Sequence, residues 1–401
     1  MAMKKYKIKI KKIVKRKCRW IVYKIVLPSV FILFKLLPLR DDLVIFVADH
    51  HSMLPDNMKE LFRLCKENGF DSRTFLKQPT SNNPFIRKWN KLWYMLEFTA
   101  LYARCKCLFL TEYFLLAYIN KPRKETMVVQ LWHGCGAFKK FGYSSLDTDW
   151  GRSHKISLEK PMHNTYTHVI VSSESVIPFY AEAFNCDPSI IFPWGTPRTD
   201  IYFDKEFVAM GREKLLEMYP DIGSRKIVLY APTFRGNSIP KSYNENWMDF
   251  ECMSKILGDG YVLVIKLHPL TRRIRGFNIE EHSSFCYDVT HSVPIEVALC
   301  AADILITDYS SVVFEYALLE RPMLFFAYDL EEYIDSRGFY FEYKDFVPGP
   351  IVYSTQEIIE KIIELEKGFD LTQVRKFREK FMNGCDGKST ERIWNNLFGN
   401  I

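Results

Sequence analysis

Short apolar runs alternate with amphipathic stretches along most of the chain, beginning near residue 41. The runs 42–48, 105–112 and 125–134 have the length and apolar character of buried strands. The stretch 57–69 has helical spacing and closes on a glycine, and 167–184 combines a strand, a serine-rich turn and a helix. This alternation predicts an α/β fold in which helices cover both faces of a parallel sheet.

A break in the pattern divides the chain into two α/β halves. Proline and glycine interrupt the alternation at 192–203, and a charged helix is predicted at 204–220. Strands then resume at four places, which are 226–236, 261–269, 303–311 and 322–329. We therefore assign one domain to 41–203 and a second to 204–385, with 386–401 as a C-terminal helix expected to cross back to the first half. Open parallel sheets bind ligands beyond the carboxyl ends of their strands, so the chemistry is expected there.

The net charge of +7 comes from the first forty residues. Residues 1–40 contain thirteen basic residues and no acidic one, which leaves 42 basic and 48 acidic residues in the rest of the chain. A nucleic-acid-binding protein would carry its basic residues across the folded surface, so no nucleic-acid partner is predicted. A short basic run beside apolar residues instead predicts attachment to an anionic membrane surface.

The segment 20–39 is long enough to span a membrane, but two lysines and two prolines within it argue against a simple span. No small-residue cleavage motif marks 1–40 as a secretory signal. We expect an interfacial segment that holds the protein at the cytoplasmic face of the cell membrane; a solvated basic tail and a true span are the alternatives. The side chains predicted to enter the acyl boundary are Trp20, Tyr23, Ile25, Phe31, Phe34 and Leu36.

The ten cysteines are scattered along the chain. Cys105 and Cys107 form the one close pair, and no second Cys or His pair completes a zinc site. We interpret all ten as reduced, mostly buried thiols of a cytoplasmic protein.

Hydroxyls, histidines and cations cluster at the carboxyl ends of four predicted strands. They are Thr233, Arg235, Lys266, His268, Asp308, Ser310 and Ser311 in the second half, and His133, Gly134, Lys139 and Lys140 in the first. Such a set suits a diphosphate, because hydroxyls and a helix N-terminus donate hydrogen bonds to it and an arginine can contact two of its oxygens.

Each of these residues also has an ordinary structural interpretation. Ser311 would serve as a helix N-cap, His268 as a hydrogen-bonded structural histidine, and Lys139 and Lys140 as solvated surface charges. The structural interpretation is the more frequent one for each residue taken alone. Their convergence on predicted carboxyl ends is what favours a functional site.

The motifs at these positions resemble those of the glycerophosphotransferase family that makes wall teichoic acid from CDP-glycerol. The resemblance runs from about residue 42 to residue 385, and Cys135 and Gly136 replace the Thr-Pro pair that many members carry. The matching segments are "LPDNMKELFRL" (54–64), "WHGCGAFKKFG" (132–142), "SSESVIPFYAEAFN" (172–185), "GTPRTD" (195–200), "LYAPTFRG" (229–236), "IKLHP" (265–269) and the stretch 306–343 that begins "ITDYSS".

The resemblance implies a GT-B-like architecture, with two Rossmann-like domains facing a cleft. It implies a CDP-activated polyol phosphate as donor and an undecaprenyl-diphosphate-linked disaccharide as acceptor. The length and the "GAFKKFG" motif favour the primase branch, which adds the first glycerol phosphate from CDP-glycerol. Ribitol or another polyol phosphate, a polymerase, a nucleotide-sugar glycosyltransferase of the same fold and a non-catalytic scaffold are the alternatives. The sequence predicts no oligomeric state.

The expected reaction is attack by an acceptor hydroxyl on the β-phosphorus of the donor, with CMP as the leaving group. We expect His133 to act as the base, Arg235, His268, Ser310 and Ser311 to hold the diphosphate, and Glu315 to position the ribose. Asp308 would orient His268 or brace the helix start. No carboxylate cluster predicts a fixed metal, and any Mg²⁺ would accompany the donor loosely. The remaining candidates are Thr233 and Lys266 for the donor, and Gly134, Lys139, Lys140 and Arg337 for the acceptor or a lid.

Overall fold

The structure is a computed structural model of the 401-residue chain. It describes residue 14 and residues 16–77, 81–148, 151, 153, 162–236, 242–268, 271, 273–276 and 279–399.

Six parallel strands form the sheet of the first half. They are β1 (Arg40–Ala48), β2 (Asp71–Leu76), β3 (Cys105–Leu110), β4 (Met127–Gln130), β5 (His168–Ile170) and β6 (Ile191–Phe192). Their order is β2-β1-β3-β4-β5-β6, so the direction of strand succession switches between β1 and β3. The residues of β1 from Leu43 to Ala48 are fully buried because both faces of the sheet are covered.

A second parallel six-stranded sheet forms the other half, in the order β11-β9-β7-β12-β13-β14. The order switches between β7 and β12, and the short strands β8 and β10 pair outside this sheet. The strands are β7 (Lys226–Tyr230), β8 (Tyr243–Glu245), β9 (Tyr261–Ile265), β10 (Arg273–Arg275), β11 (Cys286–Asp288), β12 (Ile304–Thr307), β13 (Met323–Phe326) and β14 (Ile351–Val352). Two Rossmann-like sheets joined in this way give the GT-B-like fold that the resemblance implies.

Helices cover the faces of both sheets. In chain order they are α1 (Leu27–Lys35), α2 (Asp56–Glu67), α3 (Pro84–Tyr102), α4 (Leu115–Ile119), α5 (Ile177–Phe184), α6 (Lys205–Met218), α7 (Phe250–Leu257), α8 (Ile295–Ala301), α9 (Val312–Leu318), α10 (Leu330–Arg337), α11 (Tyr343–Phe346), α12 (Thr355–Glu366), α13 (Thr372–Met382) and α14 (Ser389–Phe398). All ten cysteines are free thiols, and most are buried, as the sequence predicts.

The C-terminal helix α14 packs on the first half. Phe398 lies 6.4 Å from Phe109 of β3 and 5.2 Å from Phe70 between ring centroids, and Ile393 and Leu397 join the same buried cluster. Asp200 accepts hydrogen bonds from the first two backbone amides of α14, at 2.9 and 2.8 Å. The last helix therefore completes the core of the first domain.

The described part of the basic N-terminal segment is helical from residue 16 to residue 35, with a π-turn at Val22–Val26. Its second part, α1, packs against α3, where Phe31 is buried 5.7 Å from the ring of Tyr102. Phe31 therefore faces protein, which corrects its predicted place in the lipid, whereas Trp20, Ile25 and Leu36 are exposed. Among the described residues we find no helix long and apolar enough to cross a bilayer.

Aromatic side chains join the two halves. Phe138 of the first half stacks between Phe339 and Phe346 of the second, with ring centroids 4.6 and 4.2 Å away. These rings are parallel within 9° and bury apolar surface on both sides of the joint. The joint therefore fixes how the carboxyl ends of the two sheets face each other.

Candidate functional site

The loop after β4 contains a strained residue at the point where it enters the cleft. Trp132 has a φ of 55°, a left-handed conformation that bulky residues rarely adopt. Its backbone is held from both sides, because its amide donates to Gln130 Oε1 at 2.9 Å and its carbonyl accepts from Asn57 Nδ2 at 2.8 Å. Backbone strain that hydrogen bonds hold in place is typical of functional sites. Here the strained backbone of Trp132 sets the orientation of the next residue, His133.

His133 has a defined tautomer. Its Nδ1 lies 3.1 Å from the carbonyl oxygen of Thr111, which can only accept, so Nδ1 carries the hydrogen and Nε2 has a free lone pair. The ring is exposed, yet its surroundings lower its pKa below 6.5. Burial of the charged form is the largest cause, and the positive charge of Arg198 lowers the pKa further. The hydrogen bond to Thr111 opposes this shift. His133 is therefore a neutral imidazole near pH 7, as a general base requires.

The residues after His133 form a turn that touches the second half. The carbonyl of Gly134 accepts a hydrogen bond from the Tyr180 hydroxyl at 3.2 Å. Gly136 has a φ of 59°, and a Cβ at this position would lie 2.1 Å from Cε1 of Phe314 on α9. Only glycine fits this turn, and the turn brings the His133 loop against the helix that follows β12.

Lys139 and Lys140 continue this contact. Lys139 forms an antiparallel bridge with Phe339 and donates from Nζ to the Tyr333 hydroxyl at 3.2 Å, and the amide of Lys140 donates to the Gly338 carbonyl at 3.1 Å. They therefore link the halves, and the side chain of Lys140 is exposed.

His268 lies at the carboxyl end of β9 and is exposed. Its pKa is lowered by burial and, to a smaller extent, by the positive charge of Lys139 in the first half.

The guanidinium of Arg235 is engaged by protein acceptors, which favours a structural role over its predicted contact with the diphosphate. Its guanidinium is 8% exposed and pairs with Asp308 at 2.8 Å and with both oxygens of Asp329 at 2.6 and 2.9 Å. A fourth contact of the guanidinium reaches the Thr233 carbonyl. Arg235 therefore has its donors committed to protein acceptors, and we assign it to the scaffold of the site rather than to a phosphate.

Asp308 also belongs to this scaffold. It is 1% exposed and accepts from the amides of Thr233 and Tyr309, at 2.8 and 2.6 Å, as well as from Arg235. Of its two predicted roles, the structure supports bracing of the strand-end turn and gives no contact to His268. The Thr233 Oγ1 atom beside it is buried without a hydrogen-bond partner. An oxygen of a nucleotide substrate bound at the β7–β12 switch could accept a hydrogen bond from this hydroxyl.

Lys266 is likewise a structural cation. Its ammonium group contacts the carbonyls of Val289, Thr290 and Val293, with the Thr290 contact at 2.8 Å, and the residue is 9% exposed. Burial lowers its pKa. Its hydrogens point into the loop after β11, which favours a structural role, and the contact of Lys266 with the donor diphosphate stays a prediction.

Ser310 and Ser311 precede α9 and are partly exposed. Ser310 Oγ accepts from the Val312 amide at 3.4 Å, and the Ser311 side chain makes no capping bond. The ordinary N-cap interpretation of Ser311 therefore does not hold, and its hydroxyl stays available for a ligand.

Glu315 lies one turn into α9 and is 5% exposed. It pairs with Arg198 at 3.0 Å; burial raises its pKa and Arg198 opposes this shift. The predicted contact of Glu315 with ribose stays a prediction beside this pairing. The pair lines a cavity of about 730 Å³ between the halves, also bordered by Asp56, Glu296 and Trp394.

Residues that the sequence analysis did not select lie beside His133. Arg198 belongs to the "GTPRTD" motif, which carried no individual assignment, and its Nε is buried without a partner. Asp49, His50 and Glu112 follow β1 and β3, and their ligating atoms lie within 4.8 Å of one another. The strand-end rule covers all three, so it could have found them. The side chain of Arg337, a predicted acceptor or lid residue, lies outside the described part of the chain.

Comparison with known proteins agrees with this geometry. The profile of the CDP-glycerol:poly(glycerophosphate) glycerophosphotransferase family matches residues 29–399. A teichoic acid ribitol-phosphate primase of Bacillus spizizenii is 35% identical over 366 residues, which are 90% of this chain and 92% of that protein. A teichoic acid poly(ribitol-phosphate) polymerase of the same organism is 37% identical over 363 residues, and there this chain spans 56% of its relative.

A solved structure of the wall teichoic acid polymerase TagF has the same fold. The two chains superpose with a TM-score of 0.73 at 21% identity, over 96% of each. The match to the family profile, the 35% identity to the primase and the histidine-glycine turn all indicate the same family. The chain belongs to the CDP-glycerol:poly(glycerophosphate) glycerophosphotransferase family, whose members act in teichoic acid synthesis.

Proposed function

We propose that the chain transfers a polyol phosphate from a CDP-polyol to a saccharide linked to a lipid diphosphate, and that it releases CMP. The observation that carries this proposal is the hydrogen bond between His133 Nδ1 and the Thr111 carbonyl, which leaves the Nε2 lone pair of an exposed ring free to accept a proton. In the proposed step the acceptor oxygen forms a bond to the β-phosphorus and the bond from that phosphorus to the CMP oxygen breaks. The hydroxyl proton moves to His133 Nε2 during the attack, because a free hydroxyl is too weak an acid to ionise first.

The second half would hold the donor at the switch between β7 and β12. Thr233 and Ser311 offer hydroxyls there, and His268 with Lys139 supplies the positive charge that Arg235 and Lys266 do not. A diphosphate at this position would favour the protonated form of His268, because nearby anions raise the pKa of a histidine. Charge that develops on the leaving CMP would be offset by the same groups.

Ribitol phosphate is the polyol phosphate that we propose, because a ribitol-phosphate primase is 35% identical over most of both chains, whereas two glycerol-phosphate enzymes with similar coverage are 29% and 27% identical. Glycerol phosphate is the second candidate, since the family profile is described by CDP-glycerol. An initial rate with each donor at equal concentration decides between them.

We also propose that the protein binds the cytoplasmic face of the membrane peripherally, where a lipid-linked acceptor resides. Four exposed apolar side chains support this on α3, which packs beside α1: Phe85, Ile86, Trp89 and Trp93. Exposed Arg87, Lys88 and Lys91 flank them, as expected for a helix at an anionic interface. Replacing Trp89 and Trp93 by Glu should weaken sedimentation with phosphatidylglycerol vesicles, and replacing the equally exposed Trp247 of the second half should not. Unchanged sedimentation of the double variant would contradict this surface.

The transfer is tested with the full chain, labelled CDP-ribitol or CDP-glycerol, and a short-chain lipid-diphosphate disaccharide. We expect one CMP per polyol phosphate transferred, and a loss of about 10²–10⁴-fold in rate for His133→Gln. The control His291→Gln, an exposed histidine of the second half, should keep the wild-type rate. Use of a UDP-sugar in place of both CDP-polyols, or full activity of His133→Gln, would overturn the proposal. Product length separates a single addition from polymerisation.

A further inference from the structure

One buried carboxamide joins the loop of the proposed base to a distant segment of the chain. Asn57 lies in the first turn of α2 and is 2% exposed. Its Nδ2 donates to the Trp132 carbonyl at 2.8 Å, and its Oδ1 accepts from the Arg198 amide at 3.0 Å. These partners lie 75 and 141 positions away. Because a carbonyl only accepts and an amide only donates, the two partners fix which way the carboxamide faces.

Trp132 depends on such contacts, because its left-handed φ of 55° is unfavourable for a residue with a Cβ. Gln130 supplies the contact on the amide side, where its Oε1 accepts at 2.9 Å. Gln130 is itself fully buried, and its Nε2 donates to the Tyr166 hydroxyl at 2.7 Å. Without Asn57, only this amide contact would hold Trp132, and the strained backbone would be free to relax.

The conformation of Trp132 controls the ring of His133. The two residues are adjacent in the chain, and their ring centroids lie 4.3 Å apart. Phe141 stacks on the same indole at 5.2 Å. In this arrangement His133 Nδ1 lies 3.1 Å from the Thr111 carbonyl, which keeps the hydrogen on Nδ1. An imidazole that leaves this carbonyl for water favours the hydrogen on Nε2, and Nε2 then has no lone pair to accept a proton.

The second contact of Asn57 anchors the loop where the two halves meet. Arg198 belongs to the short 3₁₀ helix Pro197–Phe203, and its side chain pairs at 3.0 Å with Glu315 of α9 in the second half. The charge of Arg198 lowers the pKa of His133, so this cation lies near the ring. Asn57 therefore ties the backbone beside the base to the backbone of a residue that bridges the halves.

We propose that Asn57 is a positioning residue for His133. It acts through the backbone of Trp132, which it holds in the left-handed conformation, and so it keeps the His133 ring on the Thr111 carbonyl with the Nε2 lone pair free. This inference rests on the proposed function for the role of His133 as the base, but not for the coupling between Asn57 and the ring.

Two substitutions separate the contacts of Asn57. In Asn57→Asp the carboxylate still accepts from the Arg198 amide but has no hydrogen for the Trp132 carbonyl, and an acidic residue suits the first turn of a helix. Asn57→Leu removes both contacts and adds no charge. Transfer by the full chain at pH 8 from labelled CDP-ribitol or CDP-glycerol gives the kinetics. We expect kcat to fall by about 10–10²-fold in both variants and the KM for the CDP-polyol to stay unchanged, because a misplaced base does not hold the donor.

NMR of the full chain with ¹⁵N-labelled histidine provides a readout that a structural role alone would not change. The signals of His133 are those that His133→Gln lacks. At pH 8 we expect the hydrogen on Nδ1 in the wild type, and partly or wholly on Nε2 in both Asn57 variants. The controls Asn395→Asp and Asn395→Leu change an exposed asparagine of α14 and should match the wild type in kcat and in these signals. Circular dichroism and thermal melting check that each variant folds.

Unchanged His133 signals in both Asn57 variants would overturn the proposal and leave Asn57 as a structural residue of the loop. Wild-type kcat in Asn57→Asp, or a raised KM with wild-type kcat, would also overturn it. Glycine adopts a left-handed backbone without strain, so Asn57→Leu should lower kcat less in a Trp132→Gly background. An equal loss in both backgrounds would overturn the route through Trp132. Transfer from neither CDP-polyol by the wild type would refute the proposed function alone, because the NMR signals are read without turnover.

Discussion

Replacing Arg235 by Met should destabilise the second domain rather than simply weaken donor binding. The guanidinium neutralises Asp308, which is 1% exposed, and Asp329, and the rings of Tyr309, Tyr328 and Tyr333 lie 5.0–5.4 Å from it. Removing one partner of a buried ion pair costs about 3–5 kcal/mol, because it leaves an uncompensated charge inside the protein. For a domain of this size the loss corresponds to a fall of roughly 6–20 °C in Tm.

Thermal unfolding at pH 7, followed by circular dichroism, measures this effect. The double variant Arg235→Met, Asp308→Asn should recover part of the lost stability, because it removes the Asp308 charge that the single variant leaves without its partner. Arg63→Met serves as the control, because Arg63 is exposed and its pairs with Glu60 and Glu67 lie in solvent. If Arg235→Met melted like the wild type and only raised the KM for the CDP-polyol, the guanidinium would contact the donor and our assignment would be refuted.

Three further predictions follow from the site. Gly136→Ala should lower the free energy of unfolding by roughly 2–5 kcal/mol, because alanine would be strained in the left-handed backbone and its Cβ would clash with Phe314. Gly134→Ala, whose added Cβ would have its nearest atom at 3.9 Å, should fold almost normally. Equal urea midpoints for the two variants would contradict this prediction. The kcat/KM for transfer should fall as the pH drops through the pKa of His133, which lies below 6.5, because only the neutral ring accepts a proton; a pH profile without this acidic limb would argue against His133 as the base. Lys266→Met should lower the free energy of unfolding in urea by about 1–3 kcal/mol and leave the KM for the CDP-polyol unchanged. A raised KM in a variant of normal stability would support the predicted contact of Lys266 with the donor.

The position of the site could be predicted from the sequence because strand ends are local features. Thr233, Asp308 and His133 each follow an apolar run, and the parallel sheets bring those runs to facing edges. The strand β2 was missed, since Asp71–Leu76 begins with polar residues and lacks a continuous apolar run. Its burial comes from pairing with β1. The apolar pattern of a single segment carries no information about which strands pair.

The roles of the cations could not be predicted because their partners are distant in the chain. Arg235 pairs with Asp329, 94 positions away, and Lys266 meets carbonyls 23–27 positions away. From the sequence, a buried structural cation and a ligand-binding cation look alike at a strand end. The same separation hid the cluster of His50 and Glu112, which lie 62 positions apart. Sequence pattern thus locates the chemistry, and tertiary pairing decides which side chains perform it.

The return of α14 to the first domain has a consequence for biosynthesis. Ile393, Leu397 and Phe398 belong to the same buried cluster as β1 and β3, and Asp200 anchors the start of that helix. A ribosome-bound chain that has emerged only as far as the second sheet would still expose this apolar surface. The core of the first domain is therefore complete only after α14 has been synthesised, so chaperone dependence during translation should persist until that helix emerges.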